Sequence, residues 1–87
     1  MVKVIGIGVA CLDYLLRVPD IRRVHEGGRL LGFRIQGGGM AATAMVAVAR
    51  LGGRAELWTA LGDDAHGQMI LDELAHERVD LSQVARV

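Results

Sequence analysis

Three consecutive glycines, Gly37, Gly38 and Gly39, run into Met40-Ala41-Ala42-Thr43 and on through an apolar stretch that ends at Leu51-Gly52. Glycines let backbone N–H groups approach a ligand closely. The first turn of a helix has N–H groups without intrahelical partners and carries the positive end of the helix dipole. A glycine-mouthed helix of small residues therefore suits a polar small molecule. The same glycines also serve plain packing, as a tight turn that lets helix and strand lie close, and the triplet alone does not separate the two readings. Asp13 is the second group with chemistry. It stands soon after the first apolar segment, where open α/β sheets place ligands beyond the carboxyl ends of their strands. Its carboxylate can accept hydrogen bonds from vicinal hydroxyls, as in a sugar or polyol. An Asx turn or a cap would use it equally well.

The remaining candidates carry less. Gly6-Ile7-Gly8-Val9-Ala10-Cys11 opens like a dinucleotide fingerprint, but Cys11 stands where the third glycine belongs and no helical pattern follows. There is no Gly-Lys-Ser or Gly-Lys-Thr phosphate loop and no Gly-x-Ser-x-Gly nucleophile elbow. Asp63 and Asp64 are adjacent, which suits a turn and a helix cap rather than an acid–base pair held across a ligand. His25, His66 and His76 are scattered, without metal-ligand spacing to Cys11, so no metal site is expected. Cys11 is the lone cysteine. It reads as a small buried hydrophobe in a reducing, cytoplasmic setting.

These groups need a scaffold, and the pattern of the chain supplies one. Residues 2–9 are rich in β-branched side chains with almost nothing polar, as in a strand covered on both faces of a parallel sheet. Gly6 and Gly8 imply close packing against it. Residues 12–18 read as a second extended piece, ended by Pro19-Asp20. The polar residues 21–28 read as an exposed turn. Residues 29–35 alternate, with Leu31, Phe33 and Ile35 on one face and Leu30, Gly32 and Arg34 on the other. The two extended pieces are expected to pair as a small flap outside the main sheet. Residues 40–51 are expected to form a helix stopped by Gly52-Gly53 and buried between layers. A strand over 54–61, a helix over 65–78 and the start of a further strand at 84–87 complete the order. In the second helix Ile70, Leu71, Leu74 and Ala75 form the apolar stripe, with Asp72, Glu73, His76 and Glu77 toward water. Alternating strands and helices imply an α/β fold with a parallel sheet and right-handed crossovers. Two or three strands make a poor sheet, so the chain reads as the beginning of a larger α/β domain.

Bulk properties agree. The chain has 87 residues, 52% of them hydrophobic, and its aromatics are Tyr14, Phe33 and Trp58. Lys+Arg and Asp+Glu each total 10. That balance, without an aromatic–basic face, excludes a nucleic-acid footprint. The apolar run at 40–49 is shorter than the ~20 residues a membrane span needs, and no signal peptide is evident.

Taken together, Gly38-Gly39-Met40-Ala41-Ala42-Thr43 through Ala49-Arg50-Leu51-Gly52, then Leu61-Gly62-Asp63-Asp64-Ala65-His66-Gly67 and Val79-Asp80, resemble the first part of the ribokinase-like (PfkB) carbohydrate kinases. The likeness covers essentially the whole chain, including Gly8 and Asp13. It implies a three-layer α/β/α fold with a parallel core sheet and a small β lid, here residues 1–87 with lid pieces at about 12–18 and 29–36. It implies transfer of the γ-phosphate of ATP, with Mg²⁺, to a hydroxyl of a sugar or sugar derivative. Asp13, Gly38, Gly39, Met40 and Thr43 take the substrate-binding positions. Thr43 stands where the family usually has asparagine, which changes the hydrogen bonds open to the sugar. The ATP site, the Gly-Ala-Gly-Asp motif and the catalytic aspartate belong to a later part of the family pattern, so no catalytic, nucleotide or metal residue is expected in this segment and the segment alone is expected to be inactive. A homodimer through the lid is a further expectation. A non-catalytic binding or dimerisation module of the same fold is the alternative.

Overall fold

The first strand, β1 (Lys3–Ile7), is short and lies parallel to β4 (Arg54–Trp58), with Lys3 opposite Arg54 and Ile7 opposite Trp58. The computed structural model describes residues 2–87. Between these strands the chain makes a lid and a helix. The lid is an antiparallel pair, β2 (Cys11–Arg17) and β3 (Gly32–Gly38), joined through a short 3₁₀ helix (Ile21–Glu26). Helix α1 (Met40–Arg50) starts directly after β3. After β4 come β5 (Ala60–Leu61), helix α2 (Ala65–His76) and β6 (Ala85–Arg86), which pairs parallel with β5. The backbone at Asp80 bridges to β4, donating to the Ala55 carbonyl and accepting from the Leu57 N–H.

Local chemistry sets the ends of the helices. Asp64 caps α2, its carboxylate accepting from the Gly67 N–H at 2.8 Å. α1 ends in a Schellman turn: Gly53 donates to the Val48 carbonyl and Gly52, at φ 90°, to Ala49. α2 ends the same way, Val79 donating to Leu74 and Arg78 to Ala75, although Arg78 must then adopt φ 65°.

Ala55 and Leu57 of β4 point to one face of the sheet and meet Ala42 and Met45 of α1 and Ile70 and Leu74 of α2. Leu57 is fully buried. Met45 lies where a side chain on Gly6 would stand: a Cβ there would come within 2.8 Å of its Cγ. The opposite face carries Ile5, Ile7 and Trp58, all well exposed, around Glu56. Glu56 is buried and doubly held, by Lys3 Nζ at 3.3 Å and by the Trp58 indole N–H at 2.6 Å.

Several expectations are corrected here. α1 is not enclosed between layers: of its residues Ala42 and Met45 are buried, and Met40 is 88% exposed. Both helices contribute to a single core on one face of the sheet, so its outer side stays open. The strand expected over 54–61 breaks at Thr59. The lid strand expected at 29–36 runs instead through Gly32–Gly38, because Leu31 N–H closes the hairpin on the Arg17 carbonyl and the glycines continue the ladder opposite Leu12 and Cys11. The 21–28 turn contains one organised 3₁₀ helix, capped by Asp20. The α2 stripe is rotated: Gly67, Ile70 and Leu74 are buried, whereas Ala75 is exposed.

Replacing Leu57 with alanine should lower stability by ~2–5 kcal/mol, the range for deleting a fully buried leucine side chain. Urea unfolding checks this, and an unchanged midpoint would mean that the β4–helix contact is not the core.

Candidate functional site

The strand alternation of the lid sorts its side chains into two faces. Leu12, Tyr14 and Leu16 share a face with Phe33, Ile35 and Gly37. Cys11, Asp13, Leu15 and Arg17 share the other with Gly32, Arg34, Gln36 and Gly38. The first face turns toward α2. Tyr14 Oη and His66 Nε2 are hydrogen bonded at 2.7 Å, and the Tyr14 ring lies 6.1 Å from that of Phe33. The Gly37 N–H donates to Glu73 Oε1 at 3.1 Å. The second face carries Asp13, and its carboxylate occupies the position a Cβ on Gly38 would take. Asp13 is therefore a residue of a lid strand, neither an Asx turn nor a cap. Its Oδ1 accepts from the Cys11 thiol at 3.6 Å. Partial burial, and then the nearby carboxylate, push that thiol's pKa up, which disfavours the thiolate.

Gly39 joins this face to α1. It sits at φ 96°, and a Cβ on it would stand 2.5 Å from the Val9 carbonyl oxygen. The same carbonyl accepts from the Ala42 N–H at 3.2 Å. No side chain caps α1, and of its first-turn N–H groups that of Ala42 is taken by the Val9 carbonyl. Thr43, one turn in, lines a cavity of about 250 Å³ together with Cys11, Gly37, Gly38 and Glu73. Met40 does not share that cavity; it borders a separate hollow with Ile7, Gly8 and Val9. The structure thus sets the Asp13 carboxylate against Gly38 and joins Thr43 to Gly39 through the Thr43 N–H at 2.9 Å, but Asp13 does not line the Thr43 cavity, and Met40 lies on the outer side of α1.

Glu73 and Glu77 are expected to face water; Glu73 is exposed while bordering the cavity, whereas Glu77 is half-buried at its edge. Glu77 forms a two-point ion pair with Arg50, Arg50 Nε donating to Oε2 at 2.7 Å, and so ties the ends of α1 and α2 together. The signal was in the spacing: 70, 73, 74 and 77 follow one face of a helix. Among the described residues no group of three or more His, Cys, Asp or Glu side chains could hold a metal ion. The corner offers one carboxylate beside a thiol, a poor donor set for Mg²⁺ and no cradle for a triphosphate. Neither Mg²⁺ nor nucleotide is therefore assigned to residues of this chain. No helix among the described residues is long and apolar enough to cross a membrane.

Residues 1–87 match the pfkB family of carbohydrate kinases along their whole length, and the chain belongs to that family. Similar solved structures agree. A protein of Agrobacterium tumefaciens provisionally named a ribokinase is 38% identical with a TM-score of 0.84, covering 97% of this chain and 28% of that one. A fructokinase from Xylella fastidiosa is 31% identical with a TM-score of 0.80 over 97% of this chain and 24% of that one, and a second structure of it holds bound ATP. A ribokinase from Cryptococcus neoformans in complex with ADP is 30% identical with a TM-score of 0.75 over 98% of this chain and 26% of that one. The chain spans about a quarter of the length of the solved structures it matches.

The Arg50 hydrogen bonds hold the Glu77 pKa below the usual carboxylate range. A carboxyl depressed by folding contributes stability that is complete above its unfolded pKa, here about 4.5, and is lost as pH falls through the folded value. Glu77→Gln should therefore weaken the fold at neutral pH and flatten its acid-side loss of stability. Denaturation midpoints measured across that range check this; parallel curves for variant and parent would refute it.

Proposed function

We propose that this chain forms the acceptor-binding wall and lid of an ATP-dependent carbohydrate kinase. The observation that carries the reading is the Asp13 carboxylate lying over the bare backbone of Gly38, at the mouth of an uncapped helix, in a chain of the pfkB family. Asp13 accepts hydrogen bonds from two sugar hydroxyls, and the Gly38–Gly39 backbone lets the sugar approach without obstruction. Thr43 adds one hydroxyl. Met40 borders the acceptor from outside, as an apolar wall rather than a hydrogen-bonding group.

In this reading an acceptor oxygen forms a bond to the γ-phosphorus of ATP while the bond from that phosphorus to the bridging oxygen of ADP breaks. The acceptor proton passes to a base outside this chain, and Mg²⁺ and the nucleotide are held there too. The residues present here orient the acceptor and, through the lid, keep water from competing for the phosphoryl group. The 87 residues alone are then inactive. A cytoplasmic setting fits the unpaired Cys11.

The lid also favours self-association. Tyr14, Leu16 and Phe33 are 46%, 55% and 56% exposed on the same lid face, and a dimer would cover them. Sedimentation of the full-length gene product tests this: a dimer dispersed by Phe33→Glu supports it, and a monomer discards it.

For the acceptor site, Asp13→Ala in the full-length product should lower kcat/KM for its sugar about 10- to 100-fold, the loss of one or two hydrogen bonds to a charged group. It should also abolish the thermal shift that sugar produces. Sugar binding undiminished in Asp13→Ala would refute the assignment, and ATP-dependent phosphorylation by the isolated 87 residues would refute the division of labour.

A further inference from the structure

Two hydrogen bonds tie the lid to α2. Near the lid root the Gly37 N–H donates to Glu73 Oε1 at 3.1 Å. Farther out Tyr14 Oη meets His66 Nε2 at 2.7 Å, with the two rings edge to face at 6.0 Å. His66 and Glu73 are seven residues apart, two turns of α2, so both bonds fall on one side of that helix. Tyr14 and His66 also border an open hollow of about 420 Å³, together with Ala10, Leu12, Asp64 and Ile70. The outer bond therefore spans a gap instead of sealing a packed contact.

The two bonds constrain different things. Gly37 is next to Gly38, whose place is fixed by the Gly39 turn into α1. Gly37 pairs with Leu12, whereas Tyr14 pairs with Ile35, two residues farther along the hairpin. Among the described residues β2 and β3 form a sheet of two strands. Such a ribbon is marginally stable by itself, so its outer part takes its inclination from what it touches. Asp13 and Tyr14 are adjacent on β2 and face opposite ways. Inclination toward α2 is therefore inclination away from anything held on the Asp13 face. Both Tyr14 and His66 are exposed, so water takes up each group when their bond opens. The bond forms with either ring tautomer: Nε2 accepts from the phenol, or its N–H donates to the phenol oxygen.

We propose that Tyr14 and His66 form a catch that holds the lid back from the acceptor and so lowers the apparent affinity for the sugar. The proposal rests on the acceptor-site reading above and adds the residues that set the resting posture of the lid. Both are positioning residues, since neither touches the acceptor or the reacting atoms. A lid that closes over a sugar on the Asp13 face leaves α2, and the Tyr14–His66 bond breaks. The sugar then binds only the uncaught fraction of lids, which raises its apparent dissociation constant by that fraction. Losing a bond that merely props the fold weakens binding; losing a catch strengthens it.

The test uses the full-length gene product. A panel of neutral hexoses and pentoses, including fructose and ribose, is assayed by ADP release to find a sugar it phosphorylates. Tyr14→Phe should then lower KM for that sugar about two- to tenfold, the weight of one hydrogen bond exchanged with water. KM for ATP should stay as in the parent, and kcat should stay level or fall, because a lid that closes more readily opens more slowly. Calorimetric binding of the same sugar without ATP should tighten by the same factor. His66→Leu, made from the other side of the bond, should reproduce the effect, and the double variant should add nothing to either. His66→Gln keeps an acceptor and should restore the parental KM in part. A sugar KM that rises or stays level in Tyr14→Phe would overturn the catch, as would an effect of Tyr14→Phe that His66→Leu does not share. Either result leaves the acceptor site standing where Asp13→Ala still abolishes sugar binding. Sugar binding undiminished in Asp13→Ala, or no ADP release with any sugar, overturns instead the reading on which the catch rests.

Discussion

The structure depends on a junction with no slack. β3 ends at Gly38 and α1 begins at Met40, so Gly39 alone turns the chain from lid into core. It does so at a positive φ, pressed against the Val9 carbonyl. Any other residue there would meet both a strained backbone and a clash with main chain, and main chain cannot rotate aside. Because that carbonyl also accepts from the first turn of α1, the exit of β1, the end of the lid and the start of the helix are fixed relative to one another. The lid is therefore no loose appendage. Its inner end is part of the same rigid corner as the core helix, and Asp13 is carried to Gly38 by ladder pairing rather than by its own flexibility.

From that corner the lid gains two unlike faces. The apolar face leans on α2 through the Tyr14–His66 and Gly37–Glu73 hydrogen bonds, and the polar face looks the other way. A Cβ on Gly37 would collide with Glu73, and one on Gly38 with Asp13. Consecutive glycines on a strand point to opposite faces, so each clears room for a different carboxylate. One carboxylate anchors the lid to the body; the other, under the proposed function, is left for an acceptor. The glycine run that first suggested an anion cradle is better described as a hinge of space between two acidic groups, an arrangement that disfavours an anion at that point.

Much of this was legible in the residues. The glycine stops of α1, the Asp64 cap, the parallel sheet and the pairing of the two lid pieces follow from local rules that tertiary contacts did not override. What was missed has physical reasons. Glycine is a weak strand former, so the pattern ended the lid piece at about residue 36, although Gly37-Gly38 continue the ladder. Charge alone places Glu73 and Glu77 in water, which holds for Glu73 and not for the half-buried Glu77. Partners 36 and 27 residues distant, the Gly37 N–H and Arg50, draw them to the cavity edge. A helix as apolar as α1 predicts burial on all sides, and the residues described here cover one side only. Met40 shows the limit of reading position from a motif: adjacent to Gly39 in sequence, it borders a different hollow from Thr43.

The open side of the sheet bears on how the proposed labour is divided. The chain matches about a quarter of the length of its structural relatives, yet the proposed acceptor groups Asp13, the Gly38–Gly39 backbone and Thr43 all fall within it. The exposed Ile5, Ile7 and Trp58 on the far face surround Glu56, whose charge is already neutralised by Lys3 and by an indole N–H. A buried carboxylate held from two sides costs far less to cover than an unpaired one, so that face can take a further layer without first resolving a charge. Under the proposed function, the groups that choose the sugar are then set by one rigid corner and its attached hairpin. Groups that move the phosphoryl lie elsewhere and approach from outside. Substrate choice would accordingly change through substitutions on the lid face around Asp13, without disturbing either the Gly39 junction or the core beneath it.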